Sequence, residues 1–409
     1  MQQDVFVDEL IMRRLAPLNE LNDANFAQVV ASTRSYSLPP GAKLESRLEG
    51  GWYVYVVSGT VLLKNTKGER YGAVEAKSAA AAVPLFAGEL DEGDAEAKTH
   101  VEFLRVDRLL YEVLHSRQAD AGTEVLEIDF DEDDAAIFSS IYDAFEAKCL
   151  KVPSLPEVLM QVNKAIDDPD MGFAEIAQII QKDPPYTARL IVLANSPAYG
   201  GTGNVNTLSF AISRIGVEST RNLLMGVAVE RMMGEVHPNA VGLLREFYRQ
   251  ASEIAAICFV LARRLGSVPE ERALMAGLLH RLGKVPIVSH AFDVLEPQPD
   301  PDRISGAADR LIPPVTSWML SEWGMDAELC DVADSASDWY YACGEHLGLL
   351  DIVIAAGLLH AVQEGKQAPA PIEMTPIGKR LMELGLDVSD PEAFFAEIAE
   401  DLEAARQLV

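Results

Sequence analysis

The hydrophobic period of this chain changes once along its length, and that change restricts its folds more than any other feature. Before about residue 118 the apolar residues fall mostly in short aromatic and β-branched runs. Trp52-Tyr53-Val54-Tyr55-Val56-Val57 leads through Ser58-Gly59 into Thr60-Val61-Leu62-Leu63, and Val101-Glu102-Phe103-Leu104-Arg105-Val106 alternates. A period of two puts successive side chains on opposite faces of a strand. After Pro156 the apolar residues recur every three or four positions, as in Val158, Leu159, Val162 and Ile166, then Phe173, Ile176 and Ile180. Each stripe stops at an Asp-Pro, first Asp168-Pro169 and then Asp183-Pro184-Pro185. Proline removes a backbone donor and disfavours helix in the residue before it. The expectation is a multidomain α+β chain, β-rich first and all-helical afterwards.

Local signals place the elements. Leu15, Leu18, Leu21, Phe26, Val29 and Val30 fit short opening helical turns, and Pro39-Pro40-Gly41 reads as a turn. The two runs on either side of Ser58-Gly59 read as a hairpin. Asp107 reads as the N-cap of a helix through Leu114. Residues 124–134 are dense in carboxylates with Val125, Leu126, Ile128 and Phe130 between them, which suggests an acidic edge strand protected from pairing. A connector helix then carries Ile137, Ile141, Phe145 and Cys149 inward. These signals divide the chain into residues 1–118, 119–150, 151–365 and 366–409. Helices are expected at 188–194, 208–215, 217–232, 242–265, 272–282, 315–323, 327–341 and 346–364, with two closing helices after the break at Pro369 and Pro371.

Composition narrows the function classes. The 409 residues carry a formal net charge of -29. Such a chain is repelled by nucleic acid and by anionic membranes, and no long basic run offsets it. There is no apolar run long enough for a transmembrane helix and no basic-then-apolar leader after Met1, so a cytoplasmic protein is expected. Cys149, Cys258, Cys330 and Cys343 are scattered, which suits reduced thiols better than disulfides or zinc. The motifs for a serine elbow, a phosphate loop and a zinc protease helix are missing from the sequence.

The segment richest in chemistry is Gly277-Leu278-Leu279-His280-Arg281-Leu282-Gly283-Lys284. It resembles the HD superfamily of metal-dependent phosphohydrolases, in which a neighbouring His-Asp pair holds the metal. Here Arg281 stands in the Asp position, and a guanidinium cannot ligate a metal. Upstream, Pro153-Ser154-Leu155-Pro156, Asp183-Pro184, Ala188-Arg189-Leu190, Ala194-Asn195-Ser196, Tyr199-Gly200, Ala211-Ile212, Ile215-Gly216 and Arg221 resemble the opening of an HDOD domain, the degenerate all-helical relative of that superfamily. The resemblance covers about residues 150 to 365. It implies a helical bundle in bacterial signal transduction, usually fused to other modules, with no generally assigned biochemical activity.

The first part resembles a cyclic nucleotide-binding domain, a β-roll of jelly-roll type, through Leu15 to Leu21, Leu38-Pro39-Pro40-Gly41, Val56 to Val61 and Val101 to Arg108. In that family a Gly-Glu-Leu stretch and a following Arg cradle the cyclic phosphate. Gly88, Glu89 and Leu90 are present, but Asp91-Glu92-Gly93-Asp94 follows, with no Arg before Val101. Those carboxylates would repel a phosphodiester, and the bidentate guanidinium contact is missing.

Each candidate residue also has a structural reading. His280 fits a half-buried histidine hydrogen-bonded within a helix bundle, and Asp334 could at most stand in for a late metal ligand. Asn195, Ser196 and Tyr199, with Arg221, could form a recognition patch. Equally, Ser196 could cap a helix beginning at Pro197, and Arg221 could bridge helices through a carboxylate. Trp318, Trp323, Tyr340 and Tyr341 read as packing anchors or as a partner groove. The Ala-Gly-Leu-Leu-His at 276–280 recurs at 356–360, and differing flanks mark this as coincidence. The expected function is non-enzymatic: an intracellular regulatory protein with no catalytic residues, no metal and no cofactor. It would act by binding other signalling proteins, with self-association left open and no nucleic acid or membrane as partner. The alternatives are a metal-dependent phosphohydrolase acting on a nucleotide second messenger and a cyclic nucleotide sensor. Metal content separates the first, and calorimetry with cyclic nucleotides the second.

Overall fold

The computed structural model describes residues 9–409 apart from 47–48, 50, 66–67, 87–92, 121–131, 167, 169–170, 200–203, 234–235, 296–299, 301–302, 305–308, 310, 340, 342, 345 and 366–371. The chain divides into two compact units, residues 1–139 with 338–342 and 368–379, and residues 140–337 with 343–367 and 380–409. The acidic stretch 124–131 and the Gly88-Glu89-Leu90 triplet lie outside the described residues.

The first unit opens with helices α1 (Glu9–Met12) and α2 (Asp23–Ser32). Seven strands follow among the described residues: β1 (Arg34–Leu38), β2 (Lys43–Glu45), β3 (Trp52–Ser58), β4 (Thr60–Asn65), β5 (Arg70–Glu75), β6 (Gly93–Ala97) and β7 (Val101–Asp107). They form two antiparallel sheets of order β1-β7-β3 and β2-β6-β4-β5. One core gathers Leu38, Val54, Val56, Val101 and Phe103 from the first sheet and Leu44, Val61, Leu63, Ala95 and Ala97 from the second. The alternation in β7 is what aims Val101 and Phe103 at this core. Its other face is also buried, at Leu104 and Val106, and α2 and α3 (Arg108–Asp120) pack on this strand.

The hairpin read across Ser58-Gly59 does not form. β3 and β4 are consecutive but belong to different sheets. The backbone crosses at Gly59, whose φ of 85° is open to glycine and where a Cβ would fall 2.2 Å from the His100 carbonyl oxygen. A two-residue turn signal is blind to which sheet the second strand joins.

Asp107 caps α3, as its position suggests. Its Oδ1 accepts hydrogen bonds from Leu109 N (2.9 Å) and Leu110 N (3.1 Å). Asp107→Ala is expected to cost about 1 kcal/mol in urea unfolding. An unchanged midpoint would show that the cap contributes nothing.

The second unit is helical. It holds the end of α4 (Glu132–Glu146), then α5 (Glu157–Ile166), α6 (Phe173–Ile180), α7 (Pro184–Ala194), α8 (Leu208–Ile215) and α9 (Val217–Met232). Next come α10 (Val241–Leu265), α11 (Glu270–Leu279), α12 (Lys284–Val294), α13 (Ile312–Glu322), α14 (Ala327–Ser335) and α15 (Leu349–Gln363). Three helices close the chain, α16 (Pro376–Glu383), α17 (Pro391–Glu397) and α18 (Ala399–Arg406), where two were expected. The extra break is a one-residue kink at Ile398, which leaves the apolar stripe continuous and therefore invisible to periodicity. Helix α12 was also not foreseen. Its apolar residues, Val285, Ile287, Val288, Ala291 and Phe292, sit around a Pro286 that reads as a breaker but occupies the first turn, where its missing N–H costs nothing.

Helix α10 is the axis of this unit. Residues Ala255 to Ala262 are buried without interruption, so no solvent-facing stripe remains there. It packs against α11, α15 and α18. Cys149, expected inward, is exposed, because α4 ends at Glu146 before its helical stripe reaches that residue.

Candidate functional site

Helices α11 and α12 meet at the Gly277–Lys284 stretch. α11 stops at Leu279, His280 closes it, and the backbone turns through Arg281-Leu282-Gly283 into α12. Leu278, Leu279 and Leu282 are buried. Both glycines mark contacts too close for a side chain. A Cβ on Gly277 would sit 2.8 Å from the Ala255 Cα and from the Cys258 Sγ of α10. A Cβ on Gly283 would sit 2.6 Å from the Thr316 amide nitrogen and 2.8 Å from the Ile312 carbonyl oxygen of α13. Gly283 N–H donates to Thr316 Oγ1 (2.9 Å), and that buried hydroxyl donates to Ile312 O (2.6 Å). The spacing of the motif is thus demanded by helix packing, whatever the chemistry of residue 281.

His280 is buried, at 7% exposure, deeper than the half-buried position expected. Its Nδ1 lies 2.7 Å from the Gly277 carbonyl oxygen. A carbonyl only accepts, so the proton sits on Nδ1 and the lone pair on Nε2. Burial is the main force that pushes this imidazole down to about 4, and the charge of Arg281 and the neighbouring His360 add to it against the pull of the carbonyl. The ring is neutral at physiological pH.

Arg281 spends its guanidinium on Asp309, with Nη2 donating to Oδ1 at 2.7 Å. Asp334, on α14, accepts from the Ser317 hydroxyl of α13 at 3.0 Å. The groups that perturb His280 are Arg281 and His360, and Asp334 is not one of them. Among the described residues no group of three or more His, Cys, Asp or Glu side chains converges on a point that could hold an ion. A divalent cation of the kind the HD resemblance implies needs imidazole and carboxylate together. One neutral imidazole beside a paired guanidinium does not fit it.

The repeated Ala-Gly-Leu-Leu-His pentapeptides lie on α11 and α15, which pack together, and both histidines are buried. Their glycines differ. A Cβ on Gly277 would collide with α10, whereas one on Gly357 would meet nothing within 4 Å. The two segments share a sequence without sharing an environment.

The proposed recognition residues have internal work. Asn195 Nδ2 donates to Ile191 O and Val205 O, both at 2.8 Å, and Oδ1 accepts from Val205 N at 2.9 Å. Its amide pins Val205 to the end of α7. Tyr199 OH donates to Glu271 Oε1 on α11 at 2.9 Å, and burial raises its hydroxyl well above the ordinary range, so it stays protonated. Pro197 does begin a short 3-10 helix, but the buried Ser196 hydroxyl makes no hydrogen bond among the described residues, so the cap expected there is not made. Arg221 pairs with Glu218 one turn earlier on its own helix. Trp318 packs edge-on to Phe145 with ring centroids 5.9 Å apart, and Trp323 Nε1 donates to Pro153 O at 2.9 Å. Tyr340 lies outside the described residues.

Sequence reasoning missed a cleft of about 380 Å³ between residues 151–154, Met232, Val236 and His237, and α12, with Lys151, His237 and Asp293 on its walls. Its segments are more than forty residues apart in the chain. No local pattern announces it.

Residues 152–338 match the HDOD domain family. A protein of Treponema pallidum (strain Nichols), itself uncharacterized, is 29% identical over 143 residues, which is 34% of this chain. The match spans 26% of that relative's length. A crystal structure from Shewanella amazonensis SB2B, provisionally named as a metal-dependent phosphohydrolase, aligns with 68% of this chain and 99% of its own at 22% identity and a TM-score of 0.59. That likeness concerns the fold. An HDOD domain protein of unknown function from Geobacter sulfurreducens aligns with 67% of this chain and 98% of its own, at 20% identity and a TM-score of 0.49.

Proposed function

We propose, from the premise that residues 152–338 form an HDOD domain, that this chain is a non-enzymatic regulatory protein which acts by binding other signalling proteins. The observation that carries this reading is the division of labour within Gly277–Lys284. The glycines and leucines hold the α10–α11–α13 packing, while the Asp position is an arginine already paired with Asp309. The scaffold is kept and the ligand set is not. A bundle freed from metal chemistry retains a fixed arrangement of helices, which is what recognition requires, and a partner that prefers one conformation shifts the population toward it. The two antiparallel sheets of the first unit fit a β-roll of cyclic nucleotide-binding type, which we assign as a degenerate module, since carboxylates follow Gly88-Glu89-Leu90 in the sequence. No helix among the described residues is long and apolar enough to cross a membrane.

Metal content tests the reading. Protein dialysed against Mn, Mg, Fe and Zn and then desalted is expected to retain well below one ion per chain and to leave cyclic mono- and dinucleotides intact. A stoichiometric ion together with phosphodiester hydrolysis would reinstate the phosphohydrolase. Saturable heat with a cyclic mononucleotide would instead reinstate the sensor.

A further inference from the structure

We propose that the cleft beside α12 binds a small zwitterion, an α-amino acid with an apolar side chain. Its volume of about 380 Å³ is at the small end of the range for ligand sites. Lys151 and Asp293 are paired at its wall, Nζ to Oδ2 at 3.0 Å. They offer one cation and one anion within the span of a single amino acid's ammonium and carboxylate. His237 adds a donor. Its Nδ1 accepts from Asn239 N at 3.2 Å, so the proton sits on Nε2, and its ring lies parallel to Phe292. The hydroxyls of Ser154 and Ser289 also line the cleft and make no hydrogen bond among the described residues. The remaining walls, Val152, Met232, Val236 and Val285, are apolar.

This combination is selective. A ligand carboxylate takes Lys151 Nζ and the His237 Nε2–H, and a ligand ammonium takes Asp293. The Lys151–Asp293 pair is largely open to water on the lysine side, so opening it costs little. A ligand with a single charge would gain only one of the two ion contacts, whereas a zwitterion makes both. An apolar side chain then covers the valines and the methionine. The cleft touches the start of the HDOD domain, the segment after α9, and α12, which leads directly out of the Gly277–Lys284 turn. Occupancy would tie these three segments together.

Titration calorimetry of the full chain with L-leucine is the test, with isopentylamine and 4-methylpentanoate as analogues lacking one charge each. Leucine is expected to give saturable 1:1 heat and each analogue to bind at least about tenfold more weakly. Asp293→Asn is expected to weaken leucine about tenfold and to tighten 4-methylpentanoate, which then strands no carboxylate, and Lys151→Met to weaken both. Thermal melts of the two variants check that they are folded. No saturable heat with leucine, affinities unchanged in both folded variants, or an analogue binding as tightly as leucine would overturn the proposal. Binding here is independent of the His280 region, so its failure is read in this titration and failure of the non-enzymatic reading in metal content.

Discussion

A Gly283→Ala variant is expected to lose about 3 kcal/mol of stability in urea unfolding. The added methyl would lie 2.6 Å from the Thr316 amide nitrogen, 2.7 Å from its Oγ1 and 2.8 Å from the Ile312 carbonyl oxygen. Two of those three are backbone atoms of α13, which cannot step aside as a side chain does. Moving α13 away would also break the hydrogen bond from Gly283 N to Thr316 Oγ1 and leave a buried donor unsatisfied. The backbone at Gly283 is ordinary helix, with φ of -56°, so the cost is steric and owes nothing to conformational freedom. Arg281→Ala, two residues away, is the internal control. It removes a partly exposed ion pair and is expected to cost under about 1 kcal/mol. This contrast is what a motif held by packing predicts. Equal losses from the two variants, or a Gly283→Ala loss below about 1 kcal/mol, would refute it.

His280 makes the second large prediction, which is read against pH. The ordinary pKa of an unfolded histidine is about 6.5, and in the fold this one is held at about 4. Above pH 6.5 the ring is neutral in both states and pH has no leverage. As pH falls from 6.5 towards 4, the unfolded chain takes up a proton that the folded chain refuses, so stability declines. Below pH 4 both states are protonated and the loss levels off, at a total of about 3 kcal/mol. His280→Asn keeps an amide N–H for the Gly277 carbonyl and removes the titration. The difference in unfolding free energy between wild type and His280→Asn should be flat above pH 7 and should turn against wild type as pH falls to 4. Subtracting the two curves cancels the carboxylates and the histidines other than His360, which faces His280. Parallel curves would mean that His280 can be protonated in the fold, and the account of a neutral buried imidazole would fail.

Much of the architecture was readable before any coordinates. The change of period separates β7 from the helices that follow, because strands and helices repeat side chains at different intervals. Asp183-Pro184 follows the end of the α6 stripe at Ile180 and Asp107 caps α3, since both act on their own backbone, although α7 begins at Pro184 and not at Ala188. That Arg281 cannot ligate a metal follows from its chemistry alone. The errors have different causes. The hairpin at Gly59 depends on which sheet the next strand joins, whereas the break at Ile398 and the helix around Pro286 are local features that periodicity does not mark. The Asn195–Tyr199 residues read as a surface patch, yet Asn195 is spent on Val205, ten residues on, and Tyr199 on Glu271, seventy-two residues on.

The sequence by itself determined which residues can and cannot do chemistry, because charge, donor capacity and periodicity belong to the residue and its near neighbours. Only the tertiary structure decided why the Gly277–Lys284 pattern persists and where a ligand could lodge. Gly277 matters because Ala255 lies against it, Gly283 because α13 does, and the Lys151–Asp293 cleft exists because residues 142 positions apart meet. Close approach and concavity arise between segments, so they are properties of the packing and not of any one stretch of chain.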